Sequence, residues 1–332
     1  FYESCDALLA ISKQTKLINE LVLGDKAKDK VIEYVPHGLN HNIYYPIEEE
    51  KELEELESFK KKIFPDKEKD FVLFFNSRNI RRKQIPDTML AFKYFLDKLP
   101  KEKAEKCALI LHTEVISEHG TNLEEVRKIL FPDYPSAITF STSKLGNREL
   151  NYLYNIADAQ ILLTSNEGWG LALTEAMLAG TPIIANVTGG MQDQMGFEDE
   201  DGNWYEPTPE IPSNHTGRYK KHGNWAFPVF PTNRSLQGSP KTPYIWDDRC
   251  KPEDATEQII QLYEKGRDER KRLGKEGREW AINKAGLTSE AMAERAINAI
   301  DKLFNTWIPR EKYELINVNE IKEDTIKHEF LY

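Results

Sequence analysis

Between Phe71 and Asn186 short, almost wholly apolar runs alternate with amphipathic segments, and this alternation restricts the possible folds more than any other feature of the chain. The runs F-V-L-F-F-N (71–76), C-A-L-I-L-H (107–112), A-I-T-F-S (137–141), A-Q-I-L-L-T (159–164) and P-I-I-A-N (182–186) read as strands buried on both faces. The segments between them, 86–98, 122–130, 147–156 and 172–179, read as helices. Strands and helices taking turns at this spacing imply right-handed β-α-β units: an α/β fold with a parallel sheet and helices on both faces. Such sheets bind ligands beyond the carboxyl ends of their strands. Functional residues are therefore expected just after each apolar run.

The flanking regions are read the same way. D-A-L-L-A-I-S (6–12) is a strand running into Ser12, an N-cap for a helix from Lys13 to Val22. V-I-E-Y-V-P (31–36) is a further strand, and the Glu- and Lys-rich stretch 48–69 a solvated helix with i,i+4 pairs. Residues 252–305 are helical with breaks near Gly266 and Gly286. The stretch 196–250 departs from this pattern. It is rich in Gly, Pro, Asn and aromatics with one strand at 225–230, and it reads as an insert that forms a partly mobile cover over the binding cleft, ordering when ligand binds. Trp225, Tyr244 and Trp246 within it read first as packing residues.

Charge and composition exclude several classes. A net charge of −10 argues against general nucleic-acid binding, which needs a broad cationic footprint. Cys5, Cys107 and Cys250 are too far apart for metal-ligand spacing and odd in number, which points to a reducing compartment. No apolar run approaches the roughly 20 residues of a membrane span, and F-Y-E-S-C-D at the start is unlike a signal peptide. A cytoplasmic protein without a transmembrane segment is expected.

Two stretches carry the chemistry. In N-E-G-W-G-L-A-L-T-E-A-M-L-A-G-T-P-I-I-A (166–185), Glu167 lies in the loop after a strand, between Asn166 and the flexible pair Gly168 and Gly170. A helix beginning near Leu171 offers backbone N–H groups to a phosphate. Glu175 lies on that helix, eight positions after Glu167, where a carboxylate can accept from a vicinal diol such as ribose. Taken alone, the two carboxylates fit equally a helix-dipole partner and an exposed helix face. In N-S-R-N-I-R-R-K-Q (76–84), Arg78, Arg81, Arg82 and Lys83 gather four cations with no acid among them. They could neutralise a diphosphate at a strand end, although a solvated basic turn is the simpler reading of the residues alone. His112 ends one strand, and Lys144 and Leu145 follow another, so all three stand at the same edge.

E-G-W-G-L-A-L-T-E-A-M-L-A-G-T-P-I-I-A resembles the signature of glycosyltransferase family 4, in which two Glu residues bracket seven others within E-G-F-G-L-x-x-x-E-A-M-A-x-G-x-P-V-I-A. The stretch 77–84 resembles the family's G-R-L-x-x-x-K-G loop, with Ser77 and Gln84 in place of the glycines, and V-P-H-G-L-N (35–40) resembles I-P-N-G-V-D. The resemblance implies the C-terminal, donor-binding half of a GT-B enzyme with a Rossmann-like sheet. Glu167, Arg78 and Lys83 would then act at the donor sugar and phosphates, and Glu175 on the ribose. Gly168, Trp169, Gly170, Leu171, His112, Lys144 and Leu145 would line the nucleotide, with T-G-G (188–190) near the donor.

It further implies that 1–34 ends an N-terminal, acceptor-side domain. Residues 35–305 would be the nucleotide-sugar-binding domain with its insert at 196–250, and 306–332 a C-terminal tail. The implied reaction is transfer from a UDP- or GDP-linked sugar to a glycan, lipid or small-molecule hydroxyl, retaining the anomeric configuration and needing neither cofactor nor metal. Two alternatives stay open: a noncatalytic nucleotide-sugar-binding subunit, and a sugar-nucleotide epimerase. A dehydrogenase is disfavoured because no strand leads into G-x-G-x-x-G.

Overall fold

The computed structural model describes residues 2–65, 68–210, 213–240 and 242–309. The chain opens with β1 (Ala7–Ala10), α1 (Lys13–Leu23) and β2 (Val31–Tyr34), followed by α2 (Glu50–Ile63). Then come β3 (Phe71–Asn76), α3 (Ile85–Asp97), the short α4 (Lys101–Ala104), β4 (Cys107–His112), α5 (Leu123–Leu130) and β5 (Ile138–Ser141). Next are α6 (Asn147–Ile156), β6 (Ala159–Leu162), α7 (Leu171–Leu178), β7 (Ile183–Asn186) and, after a long connection, β8 (Ala226–Val229). The strands β9 (Asn233–Ser239) and β10 (Thr242–Arg249) precede α8 (Pro252–Glu264), α9 (Gly266–Glu279) and α10 (Ser289–Thr306), with a π turn at Trp280–Lys284 between the last two helices.

Strands β3 to β8 form one sheet, ordered β5-β4-β3-β6-β7-β8, and every neighbouring pair is parallel. The continuous apolar runs explain its position. Phe71 to Phe75 of β3 and Cys107 to Leu111 of β4 are all buried, as strands covered on both faces must be. Each such large side chain removed from water contributes about 1.5–3 kcal/mol. Phe92 and Phe95 of α3 pack near Phe131 and Phe71 on one face. On the other face the Tyr154 ring of α6 meets Phe74 edge-on, with centroids 5.0 Å apart.

The strand order reverses beside β3. The chain moves outward through β4 and β5, then returns to place β6 on the other side of β3. A sheet of this kind leaves a crevice at the carboxyl ends of the two strands flanking the reversal. The ends of β3 and β6 lead into 77–84 and 163–170, the two stretches that carry the candidate chemistry.

The unit β1-α1-β2 forms a separate two-stranded parallel sheet. Ser12 caps α1 by accepting from the Thr15 N–H, as its sequence position suggests. Two chain crossings join this unit to the rest, and they are bonded to each other. The Leu39 N–H donates to the Leu287 carbonyl and the Ser289 N–H to the Leu39 carbonyl, at 3.1 and 3.0 Å, and α10 then packs on β1 and β2.

The stretch 196–250 is not a structureless insert. Its expected strand joins the main sheet as β8, and β9 and β10 pair as an antiparallel hairpin that the sequence reading missed. Phe197, Tyr205, His215 and Trp225 are buried, which fixes much of the segment against the core. Trp225 packs as expected, 4.9 Å from the Trp280 ring, whereas Tyr244 is 79% exposed. The three cysteines are free. Among the described residues no helix is long and apolar enough to cross a membrane. Residues 310–332 of the tail expected at 306–332 lie outside the described residues.

Candidate functional site

The basic turn is built onto the exit of β6. After β3 ends at Asn76, a 3-10 turn at Arg81–Lys83 leads into α3 through Gln84. The backbone carbonyl of Arg82 accepts from the Ser165 N–H at 2.8 Å and the Thr164 hydroxyl at 2.9 Å. Gln84 stands at φ 51, ψ 41, in the left-handed region. A residue with a Cβ incurs about 1–2 kcal/mol there, and the resembled loop carries Gly at this position.

That stitching brings Lys83 onto Glu167. The Lys83 ammonium donates to the Glu167 carboxylate, and both side chains are about nine-tenths buried. The Arg82 guanidinium donates to the same carboxylate oxygen at 3.0 Å and to the Asn166 carbonyl at 2.6 Å. Burial pushes the Lys83 ammonium below its ordinary pKa, with Glu167 opposing the shift and Arg82 and Arg78 adding to it. Arg78, expected to act beside Lys83, is exposed, and Arg82 is the arginine that meets Glu167.

The loop holding Glu167 is clamped from beneath. Gly190 donates its N–H to the Glu167 carbonyl at 3.1 Å, and a Cβ on Gly189 or Gly190 would overlap the carbonyls of Glu167 or Gly168. These glycines of T-G-G are thus needed for close backbone approach. Gly170 turns the chain at φ 88 into the first turn of α7, where no side chain caps the helix. Gly168 and Leu171 are exposed at this corner, but the Trp169 ring is not. Its Nε1–H donates to the Thr174 hydroxyl, Thr174 bonds Gln194, and Gln194 returns a bond to the Trp169 carbonyl. Trp169, expected at the nucleotide, is buried in a closed network that fixes the start of α7.

Glu175, one turn further along α7, faces the sheet. Tyr154 and Asn76 donate to its Oε2, Asn76 from 3.3 Å, and the Tyr44 hydroxyl donates to Oε1 from 3.3 Å. Burial raises the Glu175 carboxyl above its ordinary pKa, and these three hydrogen bonds oppose that shift. Sequence reasoning missed Tyr44 and Tyr154. Tyr154 falls on the apolar stripe of α6, where it reads as core, and Tyr44 lies in an irregular loop.

The register of the sheet sets a polar row at the carboxyl edge. Asn76 on β3 pairs with His112 on β4, and His112 with Ser141 on β5. His112 Nδ1 lies 2.9 Å from the Ser141 hydroxyl, and burial holds the imidazole below its usual pKa. Lys144 is exposed and Leu145 half-buried on the loop after β5, the edge strand of the sheet. The β9–β10 hairpin also reaches the site: Asn166 donates to Asp247 at 2.7 Å, and Thr188 to Asp248 at 2.7 Å. Among the described residues no three His, Cys, Asp or Glu side chains gather as metal ligands.

Residues 57–211 match the family described as Glycosyl transferases group 1. The chain is 25% identical over 126 residues to trehalose synthase of Pyrococcus horikoshii, a match covering 36% of this chain and 30% of that protein. Among solved structures it is similar to sucrose-phosphate synthase (tll1590) from Thermosynechococcus elongatus, with a TM-score of 0.58 and 21% identity over 92% of this chain and 60% of that one. It is also similar to Anabaena Alr3699/HepE in complex with UDP, with a TM-score of 0.61 and 14% identity over 90% of this chain and 64% of that one. The chain thus spans less than two thirds of each of these proteins. The matched residues 57–211 lie in an α/β fold that is similar to GT-B glycosyltransferase structures.

Proposed function

We infer that this chain is the donor-binding part of a retaining glycosyltransferase of family 4, moving a sugar from a nucleotide diphosphate sugar to an acceptor hydroxyl. The observation that carries this reading is the Lys83–Glu167–Arg82 cluster at the crevice between β3 and β6, with Glu175 a helical turn or two away. Lys83, Arg82 and the first turn of α7 would take the diphosphate and stabilise the charge that develops as it leaves. Arg78 would add a longer-range positive field. Glu175 would accept from the ribose hydroxyls, and Glu167, relieved of Lys83, from hydroxyls of the donor sugar. With cations doing the work of charge neutralisation, the reaction needs no divalent metal in this reading. The acceptor hydroxyl would enter on the face that the diphosphate leaves, which retains configuration. In this reading β1-α1-β2 ends an acceptor-side domain, and the acceptor is a glycan, lipid or small molecule.

Alr3699/HepE was solved with UDP and with UDP-glucose, so UDP and its sugars are the first ligands to try beside GDP and ADP and theirs. A ligand at about 100 times its dissociation constant stabilises a fold by roughly 2.7 kcal/mol. One nucleotide diphosphate should therefore raise the melting temperature by several degrees, equally in EDTA. A shift that vanishes in EDTA would overturn the metal-free phosphate site, and no shift with any nucleotide would overturn the donor site itself. The second reading is a noncatalytic nucleotide-sugar-binding subunit, which would hold the donor without transferring its sugar. Sugar transfer or donor hydrolysis by the full protein decides against it.

A further inference from the structure

At the opposite, amino-terminal edge of the main sheet a cavity of about 810 Å³ opens between α2, α9 and the turns that lead into β6 and β7. Its size lies in the range of small-molecule sites. The floor is apolar, with Ile47, Leu56 and Ile156, while the walls carry eight Lys or Arg residues against five carboxylates. A positive cavity in a chain of net charge −10 runs against the overall field, so the cations need a local reason.

Their arrangement supplies one. Arg267, Lys271 and Lys275 stand at i, i+4 and i+8 on α9, so they line one face of it, and among the described residues none of them forms an ion pair. Neighbouring arginines on the same helix are paired: Arg270 with Asp158, and Arg272 with Glu269 and Glu276. Arg278, half-buried at the back of the cavity, bonds only backbone carbonyls, those of Tyr44, Leu178 and His41. Among the described residues no carboxylate forms a close ion pair with its guanidinium, and Glu48 acts on it only through the longer-range field. Arg270 answers its buried carboxylate, whereas Arg278 and the α9 stripe leave net positive charge along the cavity wall.

We propose that this cavity is a second binding site, for a small phosphorylated molecule whose charged groups meet the Arg267–Lys271–Lys275 stripe and whose body lies on the apolar floor. Charge-assisted bonds to phosphate oxygens are the strong ones available to Lys and Arg. The site is separate from the Lys83 cluster, and the proposal does not depend on the donor reading.

Pyrophosphate is a suitable probe, titrated by calorimetry at low ionic strength into the full chain and three variants. The wild-type chain should take up two equivalents. Lys83→Ala should keep the cavity equivalent, and the double variant Lys271→Glu with Lys275→Glu should keep the other. Combining all three changes should remove both, with at least a tenfold loss at each site. Circular dichroism on each variant separates lost binding from lost fold. One equivalent in the wild type that Lys83→Ala abolishes would overturn the cavity site and leave the donor reading standing. Loss of all binding in the α9 variant with none in Lys83→Ala would do the reverse. Undiminished binding in the triple variant would refute the cavity as the location.

Discussion

Glu167 and Glu175 stand eight positions apart on one loop and the helix it feeds, yet they are held by opposite means. Glu167 is clasped by two cations, Lys83 and Arg82. Glu175 is clasped by neutral donors alone: two tyrosine hydroxyls and an asparagine amide. In the donor reading Glu167 would give up Lys83 and Arg82 to a more highly charged diphosphate, and its partners would become the ligand's partners. A carboxylate held by neutral groups keeps its whole negative charge. It also keeps acceptor capacity, since its roughly four lone-pair directions meet three donors. The first arrangement suits a site that exchanges charge during a reaction; the second suits one that reads hydroxyl groups.

The largest test of this contrast is Lys83→Ala. It should weaken nucleotide diphosphate binding by about 1.5–3 kcal/mol, roughly ten- to hundredfold, and leave nucleoside binding almost unchanged. Calorimetry with both ligands measures it, and equal losses for the two would mean that the cation end is merely structural. Next comes Glu175→Ala, which should erase a preference for ribo- over 2′-deoxyribonucleotides of about 1–3 kcal/mol, since an unpaired buried acceptor is costly. A mutant that keeps the preference would break the assignment of the neutral end.

The same preference should respond to pH. Burial raises the Glu175 carboxyl, and only the ionised form accepts from both hydroxyls, so the preference is present above the raised pKa and lost as pH falls through it. Wild-type selectivity should therefore fade at a pH above the ordinary glutamate value of 4.5. Fading only below that value would contradict the burial argument. The smallest effect concerns the turn that delivers Lys83. Gln84→Gly relieves a left-handed backbone and should stabilise the fold by about 0.5–1 kcal/mol, after allowing for the entropy of glycine. A loss of stability in urea titration would show that the Gln84 side chain contributes more than its backbone costs.

Much of the sheet could be read directly because its strands are buried on both faces. Phe71–Asn76 and Cys107–His112 have the boundaries expected from their apolar runs, since a run covered twice leaves little ambiguity. The basic turn and Glu167 could be read through motif spacing, which fixes where backbone and charge meet at a strand end. Arg82 rather than Arg78 as the partner of Glu167 could not, because the choice depends on which way a short 3-10 turn rotates its side chains. Tyr44 and Tyr154 were hidden for another reason. Their contacts with Glu175 span 131 and 21 residues, and no local pattern marks a tyrosine that serves both core and site. The β9–β10 hairpin carries few apolar alternations, so its pairing is set by tertiary anchors such as Asp248 on Thr188.

The bonded crossings at Leu39 and Thr288 have a mechanical consequence. Two tethers pinned together at one point restrain a small unit more than a lone tether does, and Lys13 adds a separate anchor: its N–H donates to buried Asp193 and its ammonium to the Tyr205 carbonyl and Glu206. The unit β1-α1-β2 is therefore held at two separate places rather than hinged at one. Ile11, at the turn between β1 and α1, lies against Gly168, so the placement of this unit decides what stands at the corner beside Glu167. The wall of that corner is thus anchored by uncharged backbone bonds on one side and by a lysine held among carboxylates on the other.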